Sequence, residues 1–407
     1  MATAGAPRAI LGVAAARVVR PASVDAARQL LVESAQAGHA LAFVGGGTEL
    51  ELGAPPGRLD TIVETGALDR LLEHAPADQI VQAEAGMTIG ALQEELAAHR
   101  QRLALDPAWP ARATVGGLVA SNAFGALRTG YGSIRDLIIG VSVLRADGTP
   151  AKGGGKVVKN VAGFDLPKLM VGSLGTLAMI TSATFRLHPL PETESTLVLG
   201  PLGADELFAW VRRIKGAQLE PTALAALDEG ERFLLLARYE GFAAGVAQQR
   251  DRTLALAAAE SAECRRADEA AAAALWRRER AVREAGPVRL KLSTLPSEVG
   301  RVTGQLWPAL RAALGEAQLS FYPLRAVGFV TAGAIVDLDA LVTAIAHARA
   351  ALADRGGTLV VSAAPPALRA RLDVWGAPPP SLPLMRRMKE RFDPEGRLSP
   401  GRFIGGL

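Results

Sequence analysis

Apolar and polar positions follow two different patterns along the chain, and the change falls near residue 190. In the first part, short apolar runs typical of buried strands cover residues 41–44, 61–63, 80–83 and 138–145. Ser23 is a suitable N-cap for a helix whose apolar spacing follows it, and a second helix is predicted over residues 89–98. Glycine-rich turns separate these elements, which predicts a domain of mixed helices and strands.

The second part of the chain contains fewer glycines and longer helices that are rich in alanine and charge, chiefly over residues 242–283. Strands are predicted at residues 233–237, 288–293, 327–337 and 358–362, and a last helix at residues 383–391. Pro189 and Pro191 mark the change of pattern. The sequence therefore predicts an α+β fold with two domains, residues 1–191 and 192–407, as a chain of 407 residues allows.

The composition of the chain argues against several classes of protein. Hydrophobic residues make up 49% and charged residues 21%, which is typical of a globular chain. The formal net charge is only +4 without a long basic run, so nucleic acid is not an expected partner. The single cysteine, Cys264, and five scattered histidines predict no metal site, because zinc and iron–sulfur sites need several such ligands. No uncharged run reaches the roughly 20 residues of a transmembrane helix.

Two glycine clusters are candidate phosphate-binding loops. Residues 45–48 (GGGT) follow a strand, and such a loop can aim backbone N–H groups and the Thr48 hydroxyl at an anion. It is not a dinucleotide fingerprint, because Leu50 stands at the last glycine position, and a simple turn is the alternative. Residues 153–156 (GGGK) lack the other features of a P-loop and are interpreted as a hairpin turn.

A third stretch, residues 114–125, is poor in large side chains. A loop that wraps an extended ligand needs small residues, because its backbone approaches the ligand closely. An irregular buried turn is the alternative interpretation. The candidate ligand-binding residues in this stretch are Thr114, Gly116, Gly117, Ser121, Asn122 and Gly125.

Residues 45–48, residues 113–117 (ATVGG) and three further motifs occur in an order that resembles a known family. The additional motifs are residues 131–136 (YGSIRD), 159–166 (KNVAGFDL) and 172–177 (GSLGTL), and the tail 392–402 (FDPEGRLSPGR) also looks like the family's C-terminal signature. The order resembles the FAD-binding domain of the vanillyl-alcohol-oxidase-type (PCMH-type) flavoproteins. Within that family, residues 156–165 look most like the FAD-binding subunits of glycolate oxidases.

The resemblance implies a two-subdomain FAD-binding domain followed by an α+β cap domain whose tail returns to the flavin. It implies that Gly45, Gly46, Gly47 and Thr48 hold the pyrophosphate of FAD and that the 114–125 stretch lines the other side of the diphosphate and ribityl chain. Ile180, at the end of a strand over residues 177–181, is implied to contact the adenine through its backbone. No histidine or cysteine lies near the first glycine loop, so we expect non-covalent FAD.

The sequence also departs from the family pattern. Members that act on 2-hydroxy acids carry a histidine-rich motif in the second half, whereas only His347 follows His188 here, so the catalytic residues are unknown. Ser399 replaces the asparagine that often precedes the Pro-Gly of the tail. Arg289 and Lys291 share one face of a predicted strand and could hold a substrate carboxylate. The alternative is that this face is simply solvated.

The resemblance implies that this chain is the FAD-binding subunit of a glycolate (2-hydroxy acid) oxidase complex. Such a complex would oxidise glycolate to glyoxylate, and the electrons would then have to leave the flavin. Because one cysteine cannot hold an iron–sulfur cluster, an iron–sulfur partner subunit is implied. Because the histidine-rich motif is absent, a second flavoprotein subunit is implied to carry the substrate chemistry, and this chain would relay electrons.

We expect a small hydroxy acid as substrate, no nucleic acid, and a cytoplasmic location in which partner subunits allow peripheral contact with a membrane. Two alternatives stay open. One is a self-sufficient FAD-dependent oxidoreductase that acts on another alcohol or hydroxy acid. The other is a scaffold subunit with a degenerate flavin site.

Overall fold

The computed structural model describes residues 9–156 and 164–407, so residues 157–163, which include most of the 159–166 motif, lie outside the described residues. The strands, numbered in chain order, are β1 Ala9–Ile10, β2 Val13–Ala14, β3 Arg17–Val19, β4 Leu41–Val44, β5 Thr61–Glu64, β6 Leu71–Ala75, β7 Ile80–Glu84, β8 Gln101–Arg102, β9 Ile138–Leu144, β10 Pro150–Gly154, β11 Met179–Arg186, β12 His188–Pro189, β13 Thr193–Leu202, β14 Ala223–Asp228, β15 Phe233–Gly241, β16 Cys264–Arg266, β17 Val288–Ser293, β18 Leu314–Gly315, β19 Gln318–Tyr322, β20 Val327–Ala332, β21 Ala334–Ile335 and β22 Thr358–Ala363.

The α-helices are α1 Val24–Gln36, α2 Ile89–Ala97, α3 Val115–Ser121, α4 Arg128–Tyr131, α5 Ile134–Leu137, α6 Leu166–Met170, α7 Ala204–Gly216, α8 Ala243–Ala259, α9 Glu269–Glu284, α10 Val299–Arg301, α11 Trp307–Ala312, α12 Leu338–Ala353, α13 Pro366–Arg369 and α14 Leu382–Phe392. Short 3₁₀ turns cover Pro76–Asp78, Pro296–Glu298 and Ile404–Gly406, and a π-helical turn covers Val302–Leu306.

The chain forms two compact units. The first comprises the described residues up to Phe124, together with Ser133–Pro189 and Ala377–Leu407. It contains a parallel sheet in the order β3-β5-β4 and an antiparallel sheet in the order β10-β9-β11-β7-β6. Helix α1 begins at the Ser23 N-cap and buries Leu30 and Leu31 in one cluster with Leu41 of the parallel sheet. The periodic apolar face of α1 is therefore what covers this sheet.

The tail of the chain is part of this first unit. Leu398 forms a parallel bridge with Leu41, because the Leu41 N–H donates to the Arg397 carbonyl at 2.8 Å and the Ser399 N–H donates to the Leu41 carbonyl at 2.7 Å. The tail thereby extends the parallel sheet beside β4. This geometry places Ser399, which is buried, at the carboxyl-terminal side of that bridge.

A buried lysine fixes the tail. The Lys389 ammonium donates to the Thr176 carbonyl at 2.7 Å, to the Asp393 carboxylate at 2.6 Å and to the Leu398 carbonyl at 2.8 Å. Burial lowers the pKa of Lys389, and the neighbouring Asp393 opposes that effect. The ammonium thus has three acceptors for its three N–H groups, which is the condition under which a buried charge is tolerated.

The second unit comprises Gly125–Gly132 and Leu190–Gly376. Its centre is an antiparallel sheet in the order β16-β13-β15-β14-β19-β20-β17-β22. Strand β17 alternates between buried and half-buried positions, so the apolar side chains of Leu290 and Leu292 face the core and those of Arg289 and Lys291 face the other side. The predicted separation of the two faces of this strand is present in the structure.

One interpretation from the sequence is wrong in this unit. The charged helical region predicted over residues 242–283 is interrupted, because Cys264 lies in the short strand β16 between α8 and α9. Burial raises the pKa of the Cys264 thiol to about 11. On α9, Trp276 and Glu279 are buried. The buried Glu279 accepts hydrogen bonds from Ser320 and Tyr322, and this partnership explains how a carboxylate is accommodated there.

Two further interpretations are wrong in detail. Gly153 and Gly154 do not form a turn but belong to β10, and the turn before this strand contains Asp147 and Gly148. The predicted strand over residues 327–337 is divided into β20 and β21. The assignment of residues 1–191 and 192–407 as two domains stays a prediction. It says that each part folds independently, which the two compact units do not by themselves establish.

Among residues 9–156 and 164–407, no helix is both long and apolar enough to cross a bilayer. The same described residues contain no group of three or more histidine, cysteine or acidic side chains that could hold a metal ion.

The lysine network leads to a stability prediction. Lys389→Met keeps the aliphatic stem but removes the ammonium, which leaves the buried Asp393 carboxylate without its cation. Breaking a buried ion pair in this way typically costs about 3–5 kcal/mol. We expect the free energy of unfolding, measured by urea denaturation, to fall by about that amount.

Arg387→Met is the matched control for this experiment, because Arg387 lies on the same helix and is exposed. Its effect should stay within about 0.5 kcal/mol. Equal urea midpoints for the two variants would contradict the assigned role of Lys389.

Candidate functional site

The first unit contains an open cleft beside the end of β4. The wall is built mainly from small residues and backbone, with Arg402 as a basic side chain. The lining comprises Ile10, Ala42, Phe43, Val44, Gly45, Gly46, Gly47, Thr48, Glu49, Leu50, Thr65, Ala85, Thr114, Gly116, Gly117, Ala120, Ser121, Leu174, Gly175, Ala178, Ile180, Ser399 and Arg402.

Two segments that are distant in sequence meet in this cleft. A Cβ atom at Gly45 would lie 2.1 Å from the Thr114 hydroxyl, and one at Gly46 would lie 1.7 Å from the Arg112 carbonyl oxygen. Neither distance is possible for a real side chain. The first two glycines of the loop are therefore required by contact between chain segments, whereas the sequence suggested that they serve contact with a ligand.

The backbone of residues 45–48 remains available to a ligand. The N–H groups of Gly45, Gly46, Gly47 and Thr48 make no hydrogen bond to another part of the described chain. Gly47 adopts a φ of 71°, a left-handed conformation that suits glycine. Backbone N–H groups that face a cleft without protein acceptors form a suitable site for an anion such as a diphosphate.

On the opposite wall of the cleft, the N–H groups of residues 115–117 already donate to acceptors within the protein. The stretch over residues 114–125 is not a loop, as the sequence suggested, because residues Val115–Ser121 form helix α3 with Thr114 as N-cap. The N–H groups of Val115 and Gly116 donate to the carbonyls of Met87 and Ala85, and that of Gly117 donates to the Thr114 hydroxyl. This wall therefore supplies shape rather than N–H donors at residues 115–117.

Gly117 is the position where this shape matters most. It is exposed, its φ is ordinary, and a Cβ there would meet only the Thr114 hydroxyl, at 3.1 Å. By contrast, a Cβ at Gly116 would lie 2.8 Å from the Ala85 side chain. Packing within the protein therefore explains Gly116, while an open space in front of Gly117 is left for a ligand.

Two arginines add positive charge near the glycine loop. Arg112 donates to the Gly46 carbonyl at 3.3 Å. Arg402 is buried and donates to the carbonyls of Leu50 and Leu52 at 2.9 and 2.7 Å. Arg112 was not among the residues predicted from the sequence, although it directly precedes the ATVGG motif. A diphosphate carries negative charge, so a basic residue beside either glycine motif was the available signal.

The remaining predicted residues lie at different places. Ile180 lines the cleft, but it is near the start of β11, not at the end of a strand over residues 177–181. Strand β11 pairs with β7 only from Ser182 onward, so Ile180 lies outside the paired part of these two strands. Ser121 lines the cleft, and Asn122 ends α3 with a buried Oδ1 that has no partner among the described residues. Gly125 belongs to the second unit.

Comparison with known proteins identifies the first unit. The family model described as FAD binding domain matches residues 15–153, a range that contains both walls of the glycine cleft. This part of the chain is an FAD-binding domain. The α+β fold and the FAD cofactor that the motifs predicted are thereby confirmed, whereas the roles of individual cleft residues stay predictions.

Three curated relatives share part of this region. D-lactate dehydrogenase of Archaeoglobus fulgidus is 36% identical over 173 residues, which cover 42% of this chain and 38% of that protein. Glycolate oxidase subunit GlcD of Bacillus subtilis is 40% identical over 124 residues, 30% of this chain and 26% of the relative. Glycolate oxidase subunit GlcE of Escherichia coli is 33% identical over 128 residues, 31% of this chain and 37% of the relative. The matches thus span less than half of each relative.

A solved structure extends the likeness of fold to nearly the whole chain. An alkyldihydroxyacetonephosphate synthase superimposes with a TM-score of 0.69 over 95% of this chain and 77% of that chain. The sequences are 16% identical, so this comparison concerns the fold alone.

The residues of the cleft fit FAD. The N–H groups of residues 45–48, which have no acceptor within the described chain, suit its diphosphate, and the small residues of α3 leave room for an extended molecule. Among the residues that the structure describes, the lining of the cleft contains no histidine, cysteine or tyrosine. The expectation that FAD is held non-covalently stays a prediction.

The second pair of candidate residues lies in the other unit. Arg289 donates to the Arg283 carbonyl at 3.3 Å, and the Lys291 ammonium lies 6.0 Å from the centre of the Phe329 ring. Both side chains are half-buried on one face of β17. Their interpretation as ligands of a substrate carboxylate stays a prediction.

Gly117→Val tests the shape of the cleft. The larger side chain would extend into the space in front of α3, and we expect the affinity for FAD to fall at least about tenfold, the equivalent of about 1.4 kcal/mol. Flavin content after purification and the Kd from fluorescence quenching on titration with FAD provide the measurements. Gly46→Val would be a poorer probe, because its side chain would strike the Arg112 carbonyl whether or not FAD binds.

Gly245→Val is the matched control, since Gly245 lies in helix α8 and a Cβ added there would have no other atom within 4 Å. It should bind FAD as the unaltered chain does. Full flavin occupancy in Gly117→Val would show that the ligand does not pass in front of α3.

Proposed function

We propose that this chain is the FAD-bearing subunit of a complex that oxidises a 2-hydroxy acid, with glycolate as the preferred substrate. The single observation that supports this most strongly is the glycine cleft, whose available N–H groups and small-residue wall lie within the matched FAD-binding domain. The relatives that share this region include a D-lactate dehydrogenase and two glycolate oxidase subunits, and lactate and glycolate are both 2-hydroxy acids.

The residues of this chain would bind and orient the cofactor. The N–H groups of residues 45–48 would meet the diphosphate, and Arg402 would add a positive charge at the same side of the cleft. Because Arg402 also donates to the Leu50 and Leu52 carbonyls, it would hold the loop that follows these glycines. When bound, FAD supplies a redox centre that can accept and pass on two electrons.

Oxidation of a hydroxy acid also needs a group that accepts the hydroxyl proton. The described residues that line the cleft include no histidine, and Glu49 is the only carboxylate among them. We therefore propose that a second flavoprotein subunit performs the substrate chemistry and that this chain relays electrons. An iron–sulfur subunit would receive them, because a chain with one cysteine cannot hold a cluster alone.

The function is tested with the purified chain and with its complex. We expect a yellow protein whose flavin is released by acid or heat denaturation, without glycolate turnover by the chain alone. Affinity purification should recover a flavoprotein and an iron–sulfur protein, and the recovered complex should oxidise glycolate. Turnover by the isolated chain would favour a self-sufficient oxidoreductase, and a colourless protein that does not bind added FAD would favour a scaffold subunit.

Arg289 and Lys291 provide a separate test of the substrate class. If they hold a carboxylate, replacing both with alanine should weaken the binding of glycolate by at least about tenfold in Kd, because charge-assisted hydrogen bonds to a carboxylate are lost. The measurement is a calorimetric titration of the FAD-loaded chain with glycolate.

Arg265→Ala with Arg266→Ala is the matched control, because both arginines are exposed on strand β16 of the same sheet. This variant should leave the titration unchanged. If both double variants respond alike, the Arg289 and Lys291 face is a solvated surface rather than a carboxylate site.

A further inference from the structure

The orientation of one peptide group decides what the glycine loop can offer to an anion. The peptide bond between Gly46 and Gly47 is trans, so its carbonyl oxygen and its N–H point in opposite directions. The Gly47 N–H has no acceptor in the described chain, and Gly47 lines the cleft. An anion in the cleft can therefore use this N–H only while the Gly46 carbonyl points away from it.

Glycine on both sides of this peptide makes the orientation easy to lose. Rotation of the peptide plane changes the ψ of Gly46 and the φ of Gly47, and neither residue has a Cβ that opposes the change. Gly47 has a φ of 71°, and glycine adopts negative φ values as readily. The rotated peptide would turn a carbonyl oxygen towards a bound diphosphate and remove one of its donors.

Arg112 holds the carbonyl end of the same peptide. Its guanidinium donates to the Gly46 carbonyl at 3.3 Å, and its side chain makes no other hydrogen bond or ion pair within the described chain. The Arg112 side chain is exposed and is not part of the cleft lining, so it binds this carbonyl from outside the cleft. Hydrogen bonds from a charged donor are stronger than neutral ones, and this one exists only in the observed orientation.

The backbone around Arg112 gives this side chain a fixed origin. The N–H groups of Arg112 and Ala113 both donate to the Trp109 carbonyl, each at 2.8 Å. The Arg112 carbonyl oxygen lies against Gly46, since a Cβ added to that glycine would be only 1.7 Å from it. Arg112 thus contacts Gly46 through its main chain and through its side chain.

We propose that Arg112 is a positioning residue for the cofactor site, because it holds the Gly46–Gly47 peptide with the Gly47 N–H directed at the diphosphate. It acts through this peptide and does not itself pair with the phosphates. Arg112 raises the affinity for FAD by keeping the free chain in the orientation that binds. This inference rests on the proposed function, in which residues 45–48 meet the diphosphate.

The first test is the Kd of the flavin-depleted full chain for FAD, measured by fluorescence quenching at about 0.1 M and about 1 M salt. If Arg112→Met lowers the binding-competent fraction of the free chain to roughly one fifth, Kd rises roughly fivefold. The ratio of the two Kd values should be the same at both salt concentrations, because the lost hydrogen bond is made to a neutral carbonyl.

Direct pairing of Arg112 with the phosphates would give a different result. The Debye length falls from about 10 Å to about 3 Å between these salt concentrations, so attraction between exposed charges is screened. A Kd ratio that shrinks towards one at high salt would overturn the positioning role.

Arg58→Met is the matched control, because Arg58 is also exposed and donates to a glycine carbonyl, that of Gly38, outside the cleft lining. It should bind FAD as the unaltered chain does at both salt concentrations. Urea denaturation should give the same midpoint for Arg112→Met as for the unaltered chain, which separates a change in the loop from a defect in folding.

The second test observes the peptide itself by NMR. Glycine labelled with ¹³C at the carbonyl and with ¹⁵N at the amide gives HNCO signals only where one glycine follows another, as at Gly46 and Gly47. We expect FAD to shift the Gly47 amide signal of the unaltered chain. In the free Arg112→Met chain this signal should broaden or split, because the peptide adopts both orientations, and FAD should restore a single signal.

The outcomes distinguish this inference from the function on which it rests. If FAD leaves the Gly46 and Gly47 signals of the unaltered chain unchanged, the diphosphate does not lie at this loop, and both proposals are wrong. If FAD shifts these signals in the unaltered chain but Arg112→Met keeps an unchanged Kd, only the role of Arg112 is wrong.

Discussion

The contact between the glycine loop and the segment before α3 is the constraint on which the cofactor cleft depends. Gly45 and Gly46 approach Thr114 and the Arg112 carbonyl so closely that no side chain fits between them. This contact places the N–H groups of residues 45–48 opposite the small-residue wall of α3. A larger residue at either glycine would separate the two walls, so the shape of the cleft is set by chain packing before any ligand arrives.

The tail supports the same loop from its other side. Leu398 bridges to β4, which leads directly into Gly45, and Arg402 donates to two carbonyls that follow Thr48. Lys389 in turn fixes the tail through three acceptors. The loop is therefore held by β4 at its beginning and by the tail at its end, which explains why residues so distant in sequence belong to one compact unit.

Strands were predicted well from the sequence where a short apolar run precedes a turn, as at β4 before Gly45 and at β9 before the turn with Asp147 and Gly148. The predictions failed where tertiary contacts decide the local structure. The small residues after Thr114 suggested a loop, but Thr114 caps a helix, and Cys264 lies in a three-residue strand that pairs with the distant β13. Nine of the eleven residues predicted to contact the cofactor line the cleft, yet the sequence could not separate glycines needed for chain packing from those that face a ligand.

The distinction between glycines required by chain packing and glycines that face a ligand helps to decide whether the flavin site is functional. Gly45, Gly46 and Gly116 would be needed even in a scaffold without FAD, because side chains there would collide with the protein. Gly117 is different, since it lies in a helix with ordinary φ and has a single close neighbour. Glycine at a helical position costs roughly 1 kcal/mol relative to alanine. A side chain at position 117 would press on the Thr114 hydroxyl that caps α3 and would also fill the space in front of this helix, so glycine here suits both the cap and a ligand that passes in front of α3.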